Sequence, residues 1–250
     1  MKRVEPTETA LVLQGVTQRF GGLAALNGVS FEVPSGIVQG VIGPNGAGKT
    51  TLLNILSGLQ RPTSGKISVH GHDVNSWPAH RLVVAGGVVR TFQTVRLFGT
   101  MSVREHLAIA GRRAHGSTSA GNRAAVEAAE RLQLMHVLDA KASDLAYGLQ
   151  RRVELGRALA SSPSILLLDE PAAGLNPNER DLLGGDLRSL AKEGVTVLLI
   201  EHHMDLVQSV CDQAVVLNFG EVIANGLIGE VMRDPVVLTA YLGPAEIGHL

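Results

Sequence analysis

The sequence has few of the features that mark secreted, disulfide-stapled or membrane-spanning chains. Its 250 residues include one cysteine, Cys211, so an internal disulfide framework is excluded and a cytosolic setting is favoured. A single thiol of this kind is most often a small core residue. The longest purely apolar runs, such as Ile165–Leu168 and Val197–Ile200, are far shorter than the roughly 20 residues that cross a bilayer. We therefore expect no membrane-spanning helix, and Met1–Thr9 lacks the apolar stretch of a secretory signal.

Net charge of one sign is also missing. The chain has 22 Lys and Arg residues against 23 Asp and Glu residues, a formal net charge of −1. No global field draws it to nucleic acid or to an anionic membrane, so membrane association would have to run through a protein partner. Hydrophobic residues make up 45% of the chain, enough to bury a substantial core in one large or two intimately packed domains.

A phosphate-binding motif is the strongest local signal. After an apolar segment at 37–42 and before a helical-looking run, residues 43–50 read GPNGAGKT, a full match to G-x-x-x-x-G-K-[ST]. Glycines let backbone N–H groups converge on phosphates, and the following helix turns its positive end toward them. Lys49 adds a charge at the β- and γ-phosphates, and the Thr50 hydroxyl can ligate Mg²⁺. An ordinary Gly-rich turn would not be flanked by this strand and helix. The expected nucleotide-binding residues here are Gly43, Asn45, Gly46, Gly48, Lys49, Thr50 and Thr51.

An acidic pair lies roughly 120 residues downstream of this loop. The run Ile165–Leu168 leads directly into Asp169 and Glu170, which places both carboxylates at the C-terminal edge of a buried strand. A strand that simply ends in solvated acids is the commoner interpretation of such a pair in isolation. Together with the phosphate loop, the pair predicts a Mg²⁺ partner in Asp169 and a general base in Glu170.

The remaining pattern predicts an α/β fold. We expect an antiparallel β layer from strands at 11–13 and 29–33 around a loop, and a hairpin at 214–224 that turns at 218–221. Short buried strands at 165–168 and 195–200 are separated by a helix, which indicates a parallel sheet. The segment from 103 to about 160 is helical in texture, interrupted at 114–121 by a Gly/Ser/Thr-rich stretch that predicts a mobile loop.

Five further elements follow in order along the chain. They are Arg19-Phe20-Gly21-Gly22, Arg90-Thr91-Phe92-Gln93, Leu145-Ala146-Tyr147-Gly148-Leu149-Gln150, Ala173-Gly174-Leu175-Asn176 and Leu199-Ile200-Glu201-His202-His203-Met204. With the phosphate loop and the acidic pair, they make the chain resemble the ATP-binding subunit of an ABC transporter over nearly its whole length. The resemblance implies a P-loop NTPase core of the RecA-like type, with an N-terminal antiparallel β subdomain. A helical subdomain at roughly 94–160 would be inserted into this single domain of residues 1–250.

The resemblance also assigns roles near the nucleotide. Phe20 stands where the family places an aromatic residue that stacks on adenine. Gln93 matches the glutamine loop, which touches Mg²⁺ and the attacking water, and His202 matches the switch histidine at the γ-phosphate. The implied catalytic residues are therefore Glu170, His202 and Gln93, and the implied metal ligands are Thr50, Gln93 and Asp169.

Residues 145–149 align with the family signature, usually Leu-Ser-Gly-Gly-Gln, at the start of a helix. In the family this N-terminus binds the γ-phosphate held by the other subunit, a role that would fall here to Ala146, Tyr147 and Gly148. Ala146 replaces serine, Tyr147 replaces glycine and Leu149 replaces glutamine. The contact would then rest on backbone N–H groups and the helix dipole. Asn176 stands in the D-loop where aspartate is usual, and keeps hydrogen-bonding groups for a dimer interface.

Such a cassette binds ATP and Mg²⁺, hydrolyses ATP and works as a homodimer or as a heterodimer with a paralogous ATPase. The implied partners are integral membrane permease subunits, which dock beside Gln93 and Val95-Arg96-Leu97-Phe98, and indirectly a solute-binding protein, with no nucleic acid. The implied location is peripheral, on the cytoplasmic face of the inner or plasma membrane.

The chain looks most like the branched-chain amino acid importer ATPases. The segments that carry this resemblance are residues 90–98 and 171–177, the Leu-Ala-Tyr-Gly form of the signature and the tail Ala240-Tyr241-Leu242-Gly243. Relatives in that group serve other small polar solutes. The alternatives are the ATPase of a lipid or lipopolysaccharide exporter, a non-transport ABC ATPase acting on nucleic acid and a P-loop kinase. The kinase needs none of the five further elements, and a nucleic-acid ATPase would normally carry basic patches or a second cassette.

Three further histidines receive no role. His70 and His72 form an H-x-H pair, but no Cys, His or carboxylate cluster lies beside them in sequence, which argues against a metal site. His203 follows the switch histidine and is expected at the surface.

Overall fold

A computed structural model describes residues 8–242, so residues 1–7 of the amino-terminal segment and Gly243 of the tail motif lie outside it. Within that range the strands, in chain order, are β1 (Thr9–Phe20), β2 (Leu23–Pro34), β3 (Val38–Ile42), β4 (Ser64–Val69), β5 (His72–Asp73), β6 (Val88–Arg90), β7 (Ile165–Asp169), β8 (Thr196–Ile200), β9 (Gln213–Asn218) and β10 (Glu221–Leu227).

The helices of the same range alternate with these strands. They are α1 (Lys49–Leu56), α2 (Ala79–Gly86), α3 (Val103–His115), α4 (Thr118–Arg131), α5 (Tyr147–Leu159), α6 (Pro177–Lys192), α7 (Met204–Val210), α8 (Ile228–Val231) and α9 (Pro235–Leu242). Short 3₁₀ turns at Met135–Val137 and Ala142–Asp144 lead into α5. No helix among these is long and apolar enough to cross a membrane.

The strands form two sheets. An antiparallel sheet has the order β2-β1-β4-β5, and a six-stranded sheet has the order β10-β9-β3-β8-β7-β6. In the second sheet β3 lies between β8 and β9 and runs parallel to both, and β7 runs parallel to β8 and β6. The C-terminal ends of β3, β7 and β8 therefore meet at one edge, and the phosphate loop, the acidic pair and the switch histidine each follow one of these strands.

The central strands are buried on both faces, as expected for a parallel sheet covered on each side. Leu166 and Leu168 of β7 point into a core that includes residues of α3 to α7, whereas Ile165 and Leu167 point into a core shared with α1 and the antiparallel sheet. Because successive side chains of a strand alternate in direction, one short apolar run feeds both cores.

Cys211 lies in the first of these cores and is 6% exposed. It lies against β3, where a Cβ added to Gly40 would come within 3.2 Å of its sulfur. Burial raises the pKa of the thiol to about 12, because removal from water disfavours the thiolate, and the nearby Asp212 and Glu201 charges add to the shift. The expectation of a small core residue is confirmed for Cys211.

The structure corrects two boundaries. The strands expected at 11–13 and 29–33 are much longer, and β1 and β2 meet in a hairpin whose turn is Gly21-Gly22 rather than around a long loop. Their pairing contains several register shifts, and Gly15 has a φ of 61°. These irregularities break the two-residue alternation that marks a strand in sequence, which explains why the full length was missed.

The mobile loop expected at 114–121 is also wrong. Helix α3 continues to His115 and α4 begins at Thr118, so only Gly116 and Ser117 connect them. Gly121 lies in α4 where the two helices approach closely, and a Cβ on Gly121 would collide with the backbone nitrogen of Arg112 on α3. This glycine therefore permits helix packing, whereas glycine in sequence more often signals a break.

Candidate nucleotide-binding site

The phosphate loop joins β3 to α1, and two of its glycines are required by the backbone. Gly43 has a φ of 147°, and a Cβ there would collide with the carbonyl oxygen of Leu217 on β9. Gly48 has a φ of 103°, and a Cβ there would lie 2.5 Å from the carbonyl oxygen of Ala25. Gly48 also precedes the first residue of α1, whose N-terminal N–H groups open toward the loop.

Lys49 is almost fully buried and folds back across the loop. Its Nζ donates to the carbonyl oxygens of Gly43 at 2.7 Å and of Pro44 at 2.9 Å. Burial lowers the pKa of Lys49, because desolvation disfavours the ammonium, while the charges of Glu170 and Asp169 oppose that shift. The ammonium is thus held at the loop by backbone oxygens and by the acidic pair together.

Asp169 ends β7 and is buried in an ion pair. Its Oδ2 accepts from Nη2 of Arg90, the last residue of β6, at 2.8 Å. Nη1 of Arg90 donates to Oδ1 of Asn54 on α1 at 2.7 Å. Arg90 therefore ties the acidic strand to the helix behind the phosphate loop, a link that no local sequence pattern reveals.

Glu170 is the point at which three chain segments converge. Its Oε2 accepts from Nε2 of Gln93 at 2.6 Å, and its Oε1 lies 2.9 Å from Nε2 of His202. Two of the residues expected to be catalytic, Gln93 and His202, thus contact the third, Glu170, directly. Glu170 also has a φ of 47°, and a non-glycine residue in this region costs about 1–3 kcal/mol that the surrounding structure must supply.

The residue before the switch histidine was missed by sequence reasoning. Glu201 is 1% exposed and accepts from the N–H groups of Ala172 at 2.7 Å and of His202 at 3.0 Å. It also lies 2.9 Å from Nδ1 of His203. His203 lies partly at the surface, with its side chain 37% exposed, and contacts this buried carboxylate. The available signal was an acid at the end of a buried strand, as at Asp169.

The phosphate loop, Glu170 and His202 line one cleft. Its walls are formed by Leu23, Ala24, Ala25, Asn45, Gly46, Ala47, Gly48, Lys49, Thr50, Thr51, Glu170, His202 and Phe219. Phe20 is half-exposed at the end of β1 and is not part of this lining, although it lies three residues before Leu23. Phe219 is 86% exposed with a φ of 46°, and sequence reasoning assigned it nothing.

The signature residues Ala146, Tyr147 and Gly148 lie at the start of α5, as the alignment implies, and do not line this cleft. Ala146 precedes the helix without any side-chain hydrogen bond to it. A Cβ added to Gly148 would collide with a carboxylate oxygen of Glu179 on α6. Within one chain, the signature is thus packed against the α6 side of the molecule rather than at its own phosphate loop.

The D-loop leads directly into α6. Oδ1 of Asn176 accepts from the N–H of Glu179 at 3.0 Å, and Oε2 of Glu179 accepts from the N–H of Asn176 at 2.9 Å, a complete capping box. The side-chain oxygen expected to face a dimer interface is therefore engaged in capping this helix.

The two histidines of the H-x-H pair have different surroundings. Nε2 of His70 lies 2.8 Å from the hydroxyl of Ser164, and His72 is exposed. Among residues 8–242, no group of three or more His, Cys, Asp or Glu side chains is arranged to hold a metal ion.

A glycine-rich loop between a buried parallel strand and a helix, with an acidic strand end and a histidine beside it, defines a P-loop NTPase. A family model described as ABC transporter matches residues 26–173, and this chain belongs to that family. It is an ATP-binding subunit of an ABC transporter and hydrolyses ATP to power transport.

Individual relatives sharpen the comparison. The chain is 45% identical to the high-affinity branched-chain amino acid transport ATP-binding protein BraF of Pseudomonas aeruginosa, over 94% of this chain and 98% of that one. It superposes with a TM-score of 0.85 and 32% identity on an ABC transporter cassette in its ADP conformation, covering 94% and 99% of the two chains. A dimeric cassette in a post-hydrolysis state, bound to ADP and Pi, gives a TM-score of 0.76 at 26% identity, covering 87% and 98%.

Proposed function

We propose that this chain powers the uptake of branched-chain amino acids or similar small polar solutes. The identity to BraF along almost the whole of both chains carries the proposal for the solute. The convergence of Gln93 and His202 on Glu170 carries the proposal for the chemistry. The solute itself is selected elsewhere, by the permease and a solute-binding protein.

In the proposed reaction the phosphate loop and Lys49 hold the triphosphate, and Phe20 stacks on adenine. Glu170 accepts a proton from water, the water oxygen bonds to the γ-phosphorus and the bond to the β-phosphate oxygen breaks, which leaves ADP and phosphate. His202 contacts one oxygen of the Glu170 carboxylate and Gln93 contacts the other. The base is therefore oriented before the nucleotide binds.

Mg²⁺ fits the donors present. Thr50 offers a hydroxyl oxygen, Gln93 an amide oxygen and Asp169 a carboxylate, and these hard oxygen ligands are those that Mg²⁺ takes beside nucleotide phosphates. The ion would neutralise charge on the phosphate oxygens. Arg90 orients Asp169 through an ion pair with Oδ2 of the carboxylate. The other carboxylate oxygen, Oδ1, is not part of that ion pair.

Two cassettes are needed to complete each site. Because Ala146, Tyr147 and Gly148 do not line the cleft of their own chain, they would cap the γ-phosphate held by a second copy or a paralogue. Hydrolysis then removes the bridge between the two halves and lets them part. The motion passes to permease subunits beside Gln93, where Phe98 is 69% exposed, at the cytoplasmic face of the membrane.

Replacement of Glu170 by Gln tests this proposal. We expect Glu170→Gln to retain ATP binding, to slow turnover by about 100-fold or more and to trap an ATP-loaded dimer, since the amide cannot accept the proton. Steady-state hydrolysis and analytical ultracentrifugation with MgATP measure both effects. Glu127→Gln, at an exposed position of α4, is the matched control and should behave as the unmodified chain. Unchanged hydrolysis in Glu170→Gln would remove the base from this mechanism.

The solute is tested separately in proteoliposomes that contain the permease, its ATPases and the binding protein. Leucine, isoleucine or valine should stimulate hydrolysis and enter the vesicles, whereas urea and short amides should not. Uptake of an amide or urea alone would rule out branched-chain amino acids as the solute and leave the ATPase assignment intact.

A further inference from the structure

The signature helix α5 carries three charged residues spaced three apart, Arg151, Glu154 and Arg157, which therefore lie along one side of the helix. All three contact the main chain of the glutamine loop between Phe92 and Arg96. The helix that begins with the signature thus holds the segment that carries Gln93.

Arg151 makes the central contact. Its Nη1 donates to the carbonyl oxygen of Phe92 at 3.0 Å, and its Nη2 donates to the carbonyl oxygen of Gln93. The Arg151 side chain is only 6% exposed, so water does not compete for these carbonyls. A planar guanidinium can bind two neighbouring oxygens at once, which fixes the orientation of the main chain on both sides of one peptide unit.

Glu154 and Arg157 hold the other end of the loop. Oε1 of Glu154 accepts from the N–H of Arg96 at 3.1 Å, and Nη1 of Arg157 donates to the carbonyl oxygen of Arg96 at 2.7 Å. Burial raises the pKa of Glu154, opposed by its contacts with Arg96, Arg157 and Arg151. Gln93 is therefore flanked by anchored main chain on both sides.

The contacts continue to the hydrolytic carboxylate and to the signature. Nε2 of Gln93 donates to Glu170 at 2.6 Å, so the position of its main chain sets the position of the base. At the other end, the guanidinium of Arg151 lies 5.5 Å from the ring centroid of Tyr147, the first residue of α5. One side chain therefore stands between the signature and the loop that orients Glu170.

We propose that Arg151 is a positioning residue that transmits engagement of the signature to the general base of the same chain. The inference rests on the proposed two-cassette arrangement, in which the signature of one copy caps the nucleotide of the other. Glu170 acts on its own nucleotide, whereas Tyr147 meets the partner's. Displacement of α5 by the partner's γ-phosphate moves Arg151, and with it the carbonyls beside Gln93, so that hydrolysis at one site depends on occupancy of the other.

A double-mutant cycle tests whether Arg151 acts through Gln93. In the full-length chain, Arg151→Met should lower kcat for ATP about 10- to 100-fold, the effect of a misplaced catalytic contact, and should leave the Kd for ATP within about twofold. In a Gln93→Ala background, Arg151→Met should change kcat by less than about twofold, because the contact from Gln93 to Glu170 is already absent. Arg151→Lys, which keeps the charge without the fork, should recover part of the lost rate.

The matched control is Arg152→Met on the same helix. Arg152 pairs with Asp186 on α6 at 2.9 Å and makes no hydrogen bond to the glutamine loop, so the effect of Arg152→Met on kcat should be the same with and without Gln93. Thermal melting of each variant confirms that the chain is folded. Effects of Arg151→Met and Gln93→Ala that multiply independently would overturn the positioning role.

The dependence of rate on ATP concentration tests transmission between the sites. The Hill coefficient should exceed one in the unmodified chain and fall toward one in Arg151→Met, while Arg152→Met retains it. A coefficient that Arg151→Met leaves unchanged would overturn transmission. These failures differ from failure of the proposed function, which would appear as unchanged hydrolysis in both Glu170→Gln and Gln93→Ala.

Discussion

The phosphate loop and the signature turn both include a glycine at or next to the start of a helix, yet their hydrogen bonds are completed differently. In the loop, Gly48 has a φ of 103° and Lys49 bonds the carbonyls of Gly43 and Pro44. The signature turn has no comparable internal closure: Ala146 precedes α5 in an extended conformation and caps no N–H with its side chain. The hydrogen bonds of Lys49 across the phosphate loop are made within one chain. The first N–H groups of α5 receive no side-chain cap and remain available to bind an anion.

Because of this difference, the phosphate loop and the signature turn should tolerate different amino-acid substitutions. The loop depends on backbone conformations that few residues adopt, so its sequence is strongly constrained. In the proposed two-cassette arrangement the turn would contact the γ-phosphate through the N-terminus of α5, and α5 still begins at Tyr147 with alanine in place of serine at 146 and tyrosine in place of glycine at 147. Ala146 and Tyr147 depart from the usual family signature, whereas the phosphate loop matches its motif in full.

Removal of the phosphate-loop lysine should have the largest effect, a loss of ATP affinity. Lys49→Ala eliminates the charge at the β- and γ-phosphates, and we expect ATP binding about 100-fold weaker, since hydrogen bonds to charged groups contribute about 1.5–3 kcal/mol each. Equilibrium titration with ATP measures the loss. Lys66→Ala, on the exposed side of β4, removes a lysine of the same kind and should bind normally. Undiminished affinity in Lys49→Ala would take the loop out of nucleotide binding.

The next largest effects are expected from replacement of Gly48 in the loop and of Gly148 in the signature turn by alanine. Gly48→Ala should lower the free energy of unfolding by about 3 kcal/mol, because the backbone is left-handed and the new Cβ would lie 2.5 Å from a fixed carbonyl oxygen. Urea unfolding gives the value. Gly22→Ala is the control, since no atom lies within 4 Å of a Cβ there, and it should change stability by less than about 0.5 kcal/mol.

Gly148→Ala should cost less than Gly48→Ala. Its Cβ meets the carboxylate of Glu179, the far end of a flexible side chain, which can move at the expense of one arm of the α6 capping box. We expect a loss of about 1.5 kcal/mol in urea unfolding. A loss as large as that of Gly48→Ala would mean that the turn is as rigidly constrained as the loop.

Restoration of the family serine should have the smallest effect and the opposite sign. Ala146→Ser supplies a hydroxyl that can accept from the open N–H groups of α5, and should stabilise the chain by about 1 kcal/mol in urea unfolding. No gain would show that the first turn of α5 is already satisfied by other means.

Features predicted correctly from sequence are those fixed by short stretches of chain. The phosphate loop, the acids after β7 and the β9–β10 hairpin each carry their cause within a few residues. The ion pair of Arg90 with Asp169 and the bond from Ala172 to Glu201 join residues 79 and 29 positions apart, and only the sheet order brings them together. Gly121 was misinterpreted for another reason: it packs against α3, the helix immediately before α4, and a glycine that permits close helix packing has the same sequence signal as one that ends a helix.

The buried thiol of Cys211 makes this molecule convenient for optical and magnetic work. Because the chain has no other cysteine and burial both shields this thiol and raises its pKa, maleimide reagents at neutral pH should leave the native protein unlabelled. A cysteine introduced at the surface would then carry the sole fluorophore or spin label. Separation between two copies could be followed through a catalytic cycle without first engineering a cysteine-free background.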